Sequence, residues 1–217
     1  MIPTTLFSHW AAIAIDRKGT LYTVWDTDPR RNDGRGCGDT LTGNSASGSP
    51  LPNAIKMAHS RNYGRTWSRP RRVSPPSSSR VFWPWIVAGS TGRVAVTWYK
   101  TDRLADPDCQ PVTVRIDSAH VFKAASDHRR IQRAVASRGP IHKHSTVCQG
   151  GTTCVATGQD RRLGDFFTNA IDPRGCELIA SGDTTRPNPL TGGPRPIALP
   201  ILIRQNSGRK LVGRGSC

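Results

Sequence analysis

Trp10-Ala-Ala-Ile-Ala-Ile-Asp16-Arg-Lys-Gly19-Thr-Leu-Tyr-Thr-Val-Trp25 reads as two apolar strands folded about an Asp-x-x-Gly turn. Gly supplies the positive φ of such a turn, and the flanking runs are rich in apolar and β-favouring residues. The pattern returns 73 residues on as Trp83-Pro-Trp-Ile-Val-Ala-Gly89-Ser-Thr-Gly92-Arg-Val-Ala-Val-Thr-Trp98. It returns 83 residues later as Phe166-Phe-Thr-Asn-Ala-Ile-Asp172-Pro-Arg-Gly175-Cys-Glu-Leu-Ile-Ala-Ser181. In each copy an aromatic ring stands six positions before the Asp or Gly, and a Gly follows three positions after it. Self-similarity at such a period marks an architecture of repeated supersecondary units.

Each hairpin is followed by two further β-rich runs: 54–59 and 66–73, then 120–125 and 131–135, then 201–204 and 210–212. Four strands per unit is the content of one propeller blade. The expectation is a single all-β chain over 1–217, a partial β-propeller of about three four-stranded antiparallel blades. The blades fall at 8–75, 81–137 and 164–213, with 138–163 as a connecting loop.

Composition agrees and narrows the function classes. The 15 acidic residues are 14 Asp and one Glu, Glu177, and the 31 basic ones are 25 Arg and six Lys. Two strong helix formers are therefore scarce, and 21 Gly with 17 Pro exclude an all-α fold. No apolar run approaches the ~20 residues of a membrane-spanning helix. A net charge of +16 attracts polyanions. The arginines are nevertheless dispersed from Arg17 to Arg214, densest at Arg69, Arg71, Arg72 and at Arg161, Arg162. With no long basic run, recognition helix or RNP-like aromatic pattern, nucleic acid is disfavoured as a partner.

Six cysteines, with no CxxC pair and no Cys/His grouping at zinc spacing, point to disulfides. Cys148 and Cys154 bracket a short Gly-rich loop that a local bridge could staple. Disulfides imply an oxidising, extracellular compartment. The opening Met1-Ile-Pro-Thr-Thr-Leu-Phe7 lacks the basic start and apolar core of a signal peptide, so export information would lie upstream or the thiols would be free.

The turn Ser60-Arg61-Asn62-Tyr63-Gly64-Arg65-Thr66-Trp67 resembles the Asp-box, Ser-x-Asp-x-Gly-x-Thr-Trp, of bacterial sialidases and related β-propellers (BNR repeats), with Asn62 where the family has Asp. Ser60, Asn62, Gly64, Thr66 and Trp67 carry the match, and Ser126-Asp127-His128 resembles a decayed copy. Phe82–Ile86, Arg93–Tyr99 and Arg162–Phe167 are similar to repeated strands of sialidase-like proteins of high-GC bacteria. The resemblance implies glycan or cell-surface ligands and secretion. It also implies six blades, so three would be completed by further blades or by self-association.

A sialidase-type site resembles an arginine cluster on the substrate carboxylate, a Tyr nucleophile activated by a Glu, and an Asp acid/base. Asp165, Tyr99 and Glu177 are the candidates here. The lone Glu is expected at a satisfied or solvent-facing position, Tyr22 lies within a strand, Tyr63 within a turn, and the Arg-Ile-Pro motif is absent. A non-catalytic glycan-binding segment is thus favoured over an exo-sialidase-type glycoside hydrolase, with a polyanion-binding surface as the third reading. Asp26, Asp28, Asp102, Asp106 and Asp108 could hold Ca²⁺ or face a sugar, but serve more simply as turn formers. His142 and His144 could bind metal, but with no third ligand they read as exposed.

Overall fold

A computed structural model describes residues 11–27, 53–148, 158–164, 167–193 and 197–217. The described residues form strands and turns with no helix. The strands are β1 (Ala11–Ile15), β2 (Leu21–Thr27), β3 (Ala54–Ser60), β4 (Arg71–Arg72), β5 (Val81–Ala88) and β6 (Arg93–Thr101). They continue as β7 (Val112–Phe122), β8 (Arg130–Val135), β9 (His142–Ser145), β10 (Thr168–Ile171), β11 (Glu177–Asp183) and β12 (Leu199–Arg204). Three antiparallel sheets result: β1-β2-β3-β4, then β5-β6-β7-β8 with β9 also on β7, then β10-β11-β12.

The three repeated hairpins close in the same register. Asp16 N donates to Thr20 O at 3.0 Å, Gly89 N to Arg93 O at 2.9 Å, and Asp172 N to Cys176 O at 2.8 Å. Gly19, Gly92 and Gly175 hold φ of 84°, 70° and 87°, a region that costs other residues energy.

Two expected strands are altered for local reasons. Of 66–73, only Arg71 and Arg72 form a strand on β3, although Ser68 N and Val73 N also donate to His59 O and Ile55 O. His59 N is met by Ser68 Oγ at 3.1 Å, and Pro70 has no N–H to give, so the ladder resumes only beyond it. The segment 210–212 does not extend the third sheet. Leu211 N and Val212 N donate to Gly175 O, while Leu211 O accepts from Ser90 N at 2.9 Å. It is a wedge between the second and third hairpin turns. Within 138–163, expected as a loop, His142–Ser145 forms β9.

Sheet two lies between the others because alternate side chains of β6 go to opposite faces. Val94, Val96 and Trp98 meet Tyr22, Val24, Ile55 and Met57 of the first sheet in one buried cluster. Tyr99 joins Ile116, Phe167 and Ile179 toward the third sheet in the other. A β-bulge between Phe82 and Trp85 absorbs Pro84, whose missing N–H cannot pair, and leaves Trp83 at φ 49°. The outer faces of the end sheets stay apolar: Ile13 is 62% exposed on β1 and Leu202 70% on β12.

Candidate functional site

Tyr99 and Glu177, the two described catalytic candidates, are both buried, and they serve different partners. Tyr99 Oη lies 2.8 Å from Ser181 Oγ, and its ring stacks on Phe167 with centroids 4.5 Å apart. Glu177 is 3% exposed. Its Oε2 accepts from Ser118 Oγ at 2.8 Å and lies 2.9 Å from His120 Nε2, and its Oε1 accepts from Asn169 Nδ2 at 3.0 Å. Ser181 and Glu177 are four residues apart on β11, about 13 Å along a strand, so the phenol and the carboxylate occupy different levels of the interface. Both sets of contacts join the second sheet to the third. Of the satisfied and solvent-facing positions expected of Glu177, it occupies the satisfied, buried one. Asp165 lies outside the described residues.

The only phenol–carboxylate pair among the described hydrogen bonds was not foreseen. Tyr22 Oη donates to Asp16 Oδ2 at 2.9 Å. Burial first, and then Asp16, push the Tyr22 phenol well above its ordinary range. A fully buried phenol held protonated is a clamp rather than a nucleophile. Burial works against the Asp16 carboxylate, but donation from Gly92 N, Tyr22 Oη, Thr20 N and Lys18 N outweighs it and holds the group below the usual carboxylate range. The legible signal was an Asp at the hairpin turn with a Tyr just inside the returning strand.

The turn after β3 is built by its short polar side chains. Ser60 Oγ accepts from Gly64 N at 2.9 Å and donates to Asn62 Oδ1 at 3.0 Å, and Asn62 Oδ1 accepts from Thr66 N at 2.9 Å. Asn62 Nδ2 donates to Thr66 Oγ1, a bond that Asp could not give. Gly64 has φ 83°, and its missing Cβ would lie 3.9 Å from the Trp67 ring. Tyr63, at φ 59°, is exposed.

The other candidates are mostly structural. Asp106 Oδ1 accepts from Asp108 N within a turn, whereas Asp102 Oδ1 accepts from Thr113 N across the connection between β6 and β7. Asp26 is buried, and Asp28 lies outside the described residues. His142 is not exposed as expected: it is fully buried, with Nδ1 2.8 Å from Thr184 Oγ1 and Nε2 3.2 Å from Ser145 O. Its place on β9, which sequence reading took for loop, explains the difference. His144 is exposed. Among the described residues no three His, Cys, Asp or Glu side chains converge on a metal site. Cys176 and Cys217 form a disulfide. Cys109 and Cys148 are also disulfide-bonded, and Cys154 lies outside the described residues.

Two cavities among the described residues lie elsewhere, at the turn end of the first two sheets. One cavity of about 450 Å³ is bordered by His59, Arg61, Arg69, Arg71, Asp127 and Arg129. A second, also about 450 Å³, is bordered by Lys18, Tyr22, Arg61, Thr91, Gly92 and Lys123. Both include Arg61, Ala125 and Ser126 in their walls. Burial, and then Arg61, hold the His59 imidazole below its usual range; Asp127 opposes this, and Arg129 and Arg71 add to it.

No family model and no curated protein matches the chain. Among solved structures it is similar to the Hadza microbial sialidase Hz136, at 14% identity and a TM-score of 0.38, over 80% of this chain and 28% of that one. The chain therefore spans little more than a quarter of that structure's length.

Proposed function

We propose that this chain is a glycan-binding, non-catalytic segment of a sialidase-like propeller, its three sheets serving as blades of a ring completed by further blades or by a second copy. The observation that carries the reading is the separate commitment of Tyr99 and Glu177. Tyr99 is bonded across to the third sheet and Glu177 to Ser118 and His120 of the second sheet and Asn169 of its own, within a buried interface, and neither lines either of the two described cavities. The open clefts are instead lined by cations and hydroxyls, groups that bind acidic sugars. Support for blades comes from the shared register of the three hairpins and the polar turn at Ser60–Trp67. Support for a secreted protein comes from the disulfides.

The test pairs hydrolysis with retention. A fluorogenic sialoside is offered to this chain and to any longer chain that contains it, and both are applied to immobilised acidic and neutral glycans. Retention without turnover is the expected result. Turnover abolished by Tyr99→Phe in a folded protein would replace the binding reading with the hydrolase one.

A further inference from the structure

We infer that the twin cavities at the turn end of the first and second sheets form one continuous track for an acidic oligosaccharide, gripped by Arg61, Arg69, Arg71, Arg129, Lys18 and Lys123. The inference rests on the glycan-binding reading and gives it a site and a ligand charge.

The two cavities share Arg61, Ala125 and Ser126 as a common wall, so a ligand that fills one abuts the other. Each is within the size range of small-ligand pockets, and two in series suit a chain of sugars better than a single one. Six Lys or Arg side chains face one carboxylate, Asp127, which is already engaged by Arg71. Arg61 donates to Ala125 O, which fixes the guanidinium at the junction. The side chains of Arg69, Arg129, Lys18 and Lys123 make no hydrogen bond or ion pair among the described residues. Like charges gathered around a cleft repel one another, and the cleft focuses their field outward. The His59 imidazole within the first cavity is depressed first by burial and then by Arg61, with smaller additions from Arg129 and Arg71. A sulfate or carboxylate in the cleft would relieve it through charge-assisted bonds to the guanidinium forks.

The lining favours a glycan over single-stranded nucleic acid. Nucleic-acid tracks place exposed rings beneath successive bases. Here the bordering Tyr22 is fully buried, while Ser68, Ser126, Thr20 and Thr91 line the walls with hydroxyls suited to sugars. The track also lies at the opposite end of β6 from Tyr99, because Arg93 follows the hairpin turn and Tyr99 lies six residues, about 20 Å, further on. It is therefore distinct from the Tyr99 interface, and it is separated from Glu177 by the second sheet itself, since Ser118 and His120 alternate with Ala119 and Val121, which face the first sheet.

The experiment is calorimetric titration of the chain with a heparin-derived hexasaccharide and with its fully desulfated counterpart, between about 50 and about 200 mM salt. The sulfated chain is expected to bind with steep salt dependence and the desulfated one weakly. Arg69→Ala/Arg129→Ala is expected to lose about tenfold in affinity per guanidinium and about two in the salt slope. Arg115→Ala/Arg214→Ala, which removes the same charge elsewhere, is expected to lose little. Binding should also raise the His59 pKa, read from its ring proton shifts by NMR. Equal losses in the two double variants would overturn the inference in favour of diffuse charge attraction. Tighter, Arg69-dependent binding of a single-stranded oligonucleotide would overturn it in favour of nucleic acid. Retention of neutral glycans alone would sink the track and leave the broader reading standing, whereas failure to retain any glycan would sink both.

Discussion

Asp16 Oδ2 accepts the Gly92 backbone N–H at 2.8 Å, which ties the first hairpin turn to the second across the sheet interface. Arg17 N also donates to Gly89 O at 3.1 Å, and Ser90 N continues the line to Leu211 O. The repeated turns are thus connectors as well as reversals, and the C-terminal wedge carries the connection on to Gly175. The same line of contacts underlies the cationic track, since Lys18, Gly92 and Lys123 border it.

Asp16→Ala should be among the more damaging single changes in the first sheet. It strands four donors, the N–H groups of Lys18, Thr20 and Gly92 and the Tyr22 hydroxyl. A buried donor left unpaired costs about 1–3 kcal/mol, and Lys18 can turn to water, so a loss of about 3 kcal/mol is expected in urea unfolding. Tyr22→Phe removes one of the four and should cost about 1 kcal/mol. Equal losses for the two variants would show that the turn-to-turn bonds contribute nothing.

Gly175→Ala should misplace the C-terminal wedge. A Cβ at position 175 would lie 2.1 Å from Val212 O, a backbone atom, and φ there is +87°. Backbone cannot yield as a flexible side chain can, so the wedge must shift. Reduction of the Cys176–Cys217 bridge, which spans 41 residues, should cost about 4 kcal/mol by loop entropy. Hydrogen exchange at Ser90 N and Leu211 N should accelerate in both cases; unchanged exchange in Gly175→Ala would mean that the wedge is held independently of that turn.

Asp172 gives the third hairpin an acid limit. Donation from Cys176 N comes first, and with Arg204 it outweighs burial and lowers the carboxyl to about 2. An unfolded Asp titrates near ~3.9. The stabilisation is therefore present above about pH 4 and is lost as pH falls from there toward about 2. Asp172→Asn should remove that part of the acid sensitivity. Denaturant midpoints for the two proteins at several pH values across this interval check it, and parallel curves would exclude Asp172 as a source.

The outer faces of the end sheets should make the isolated chain associate. Ile13 and Ile15 alternate on one side of β1, 62% and 59% exposed, and Leu202 projects from β12. Blades of a ring cover such faces with neighbours. Light scattering should show association that falls on Ile13→Asp/Ile15→Asp. A monomer over a wide concentration range would count against an incomplete ring.

Hairpins were legible because strand periodicity and turn glycine agree within a few residues of sequence. The packing that consumes the site candidates was not, because it joins residues far apart in the chain. Ser118 and His120 show the strand alternation that puts both on one face of β7, yet nothing local says that Glu177 will stand opposite. Pro84 signalled an irregular strand, and the bulge is there. Lys210-Leu-Val212 has the composition of a strand, but tertiary hydrogen bonds to two turns override that preference. The cationic track escaped sequence reading because its charges come from three separate turn regions, with only one to three in each.

Glu177 offers the sharpest separation of scaffold from catalyst. Removing it strands Ser118, His120 and Asn169 in a buried interface, so Glu177→Ala should cost about 3 kcal/mol or more. Replacing both hydrogen-bonded partners together by apolar groups spares that penalty, so Glu177→Leu combined with His120→Leu should be milder than the sum of the single changes. A double-mutant cycle between positions 177 and 120 should return a coupling of about 1–3 kcal/mol, as expected for contacting residues. A catalytic Glu behaves in the opposite way, since groups poised for chemistry commonly weaken the fold and their loss relieves it. A Glu177→Gln protein that is more stable than its parent would therefore reverse the assignment of this carboxylate from inter-sheet anchor to reactive group.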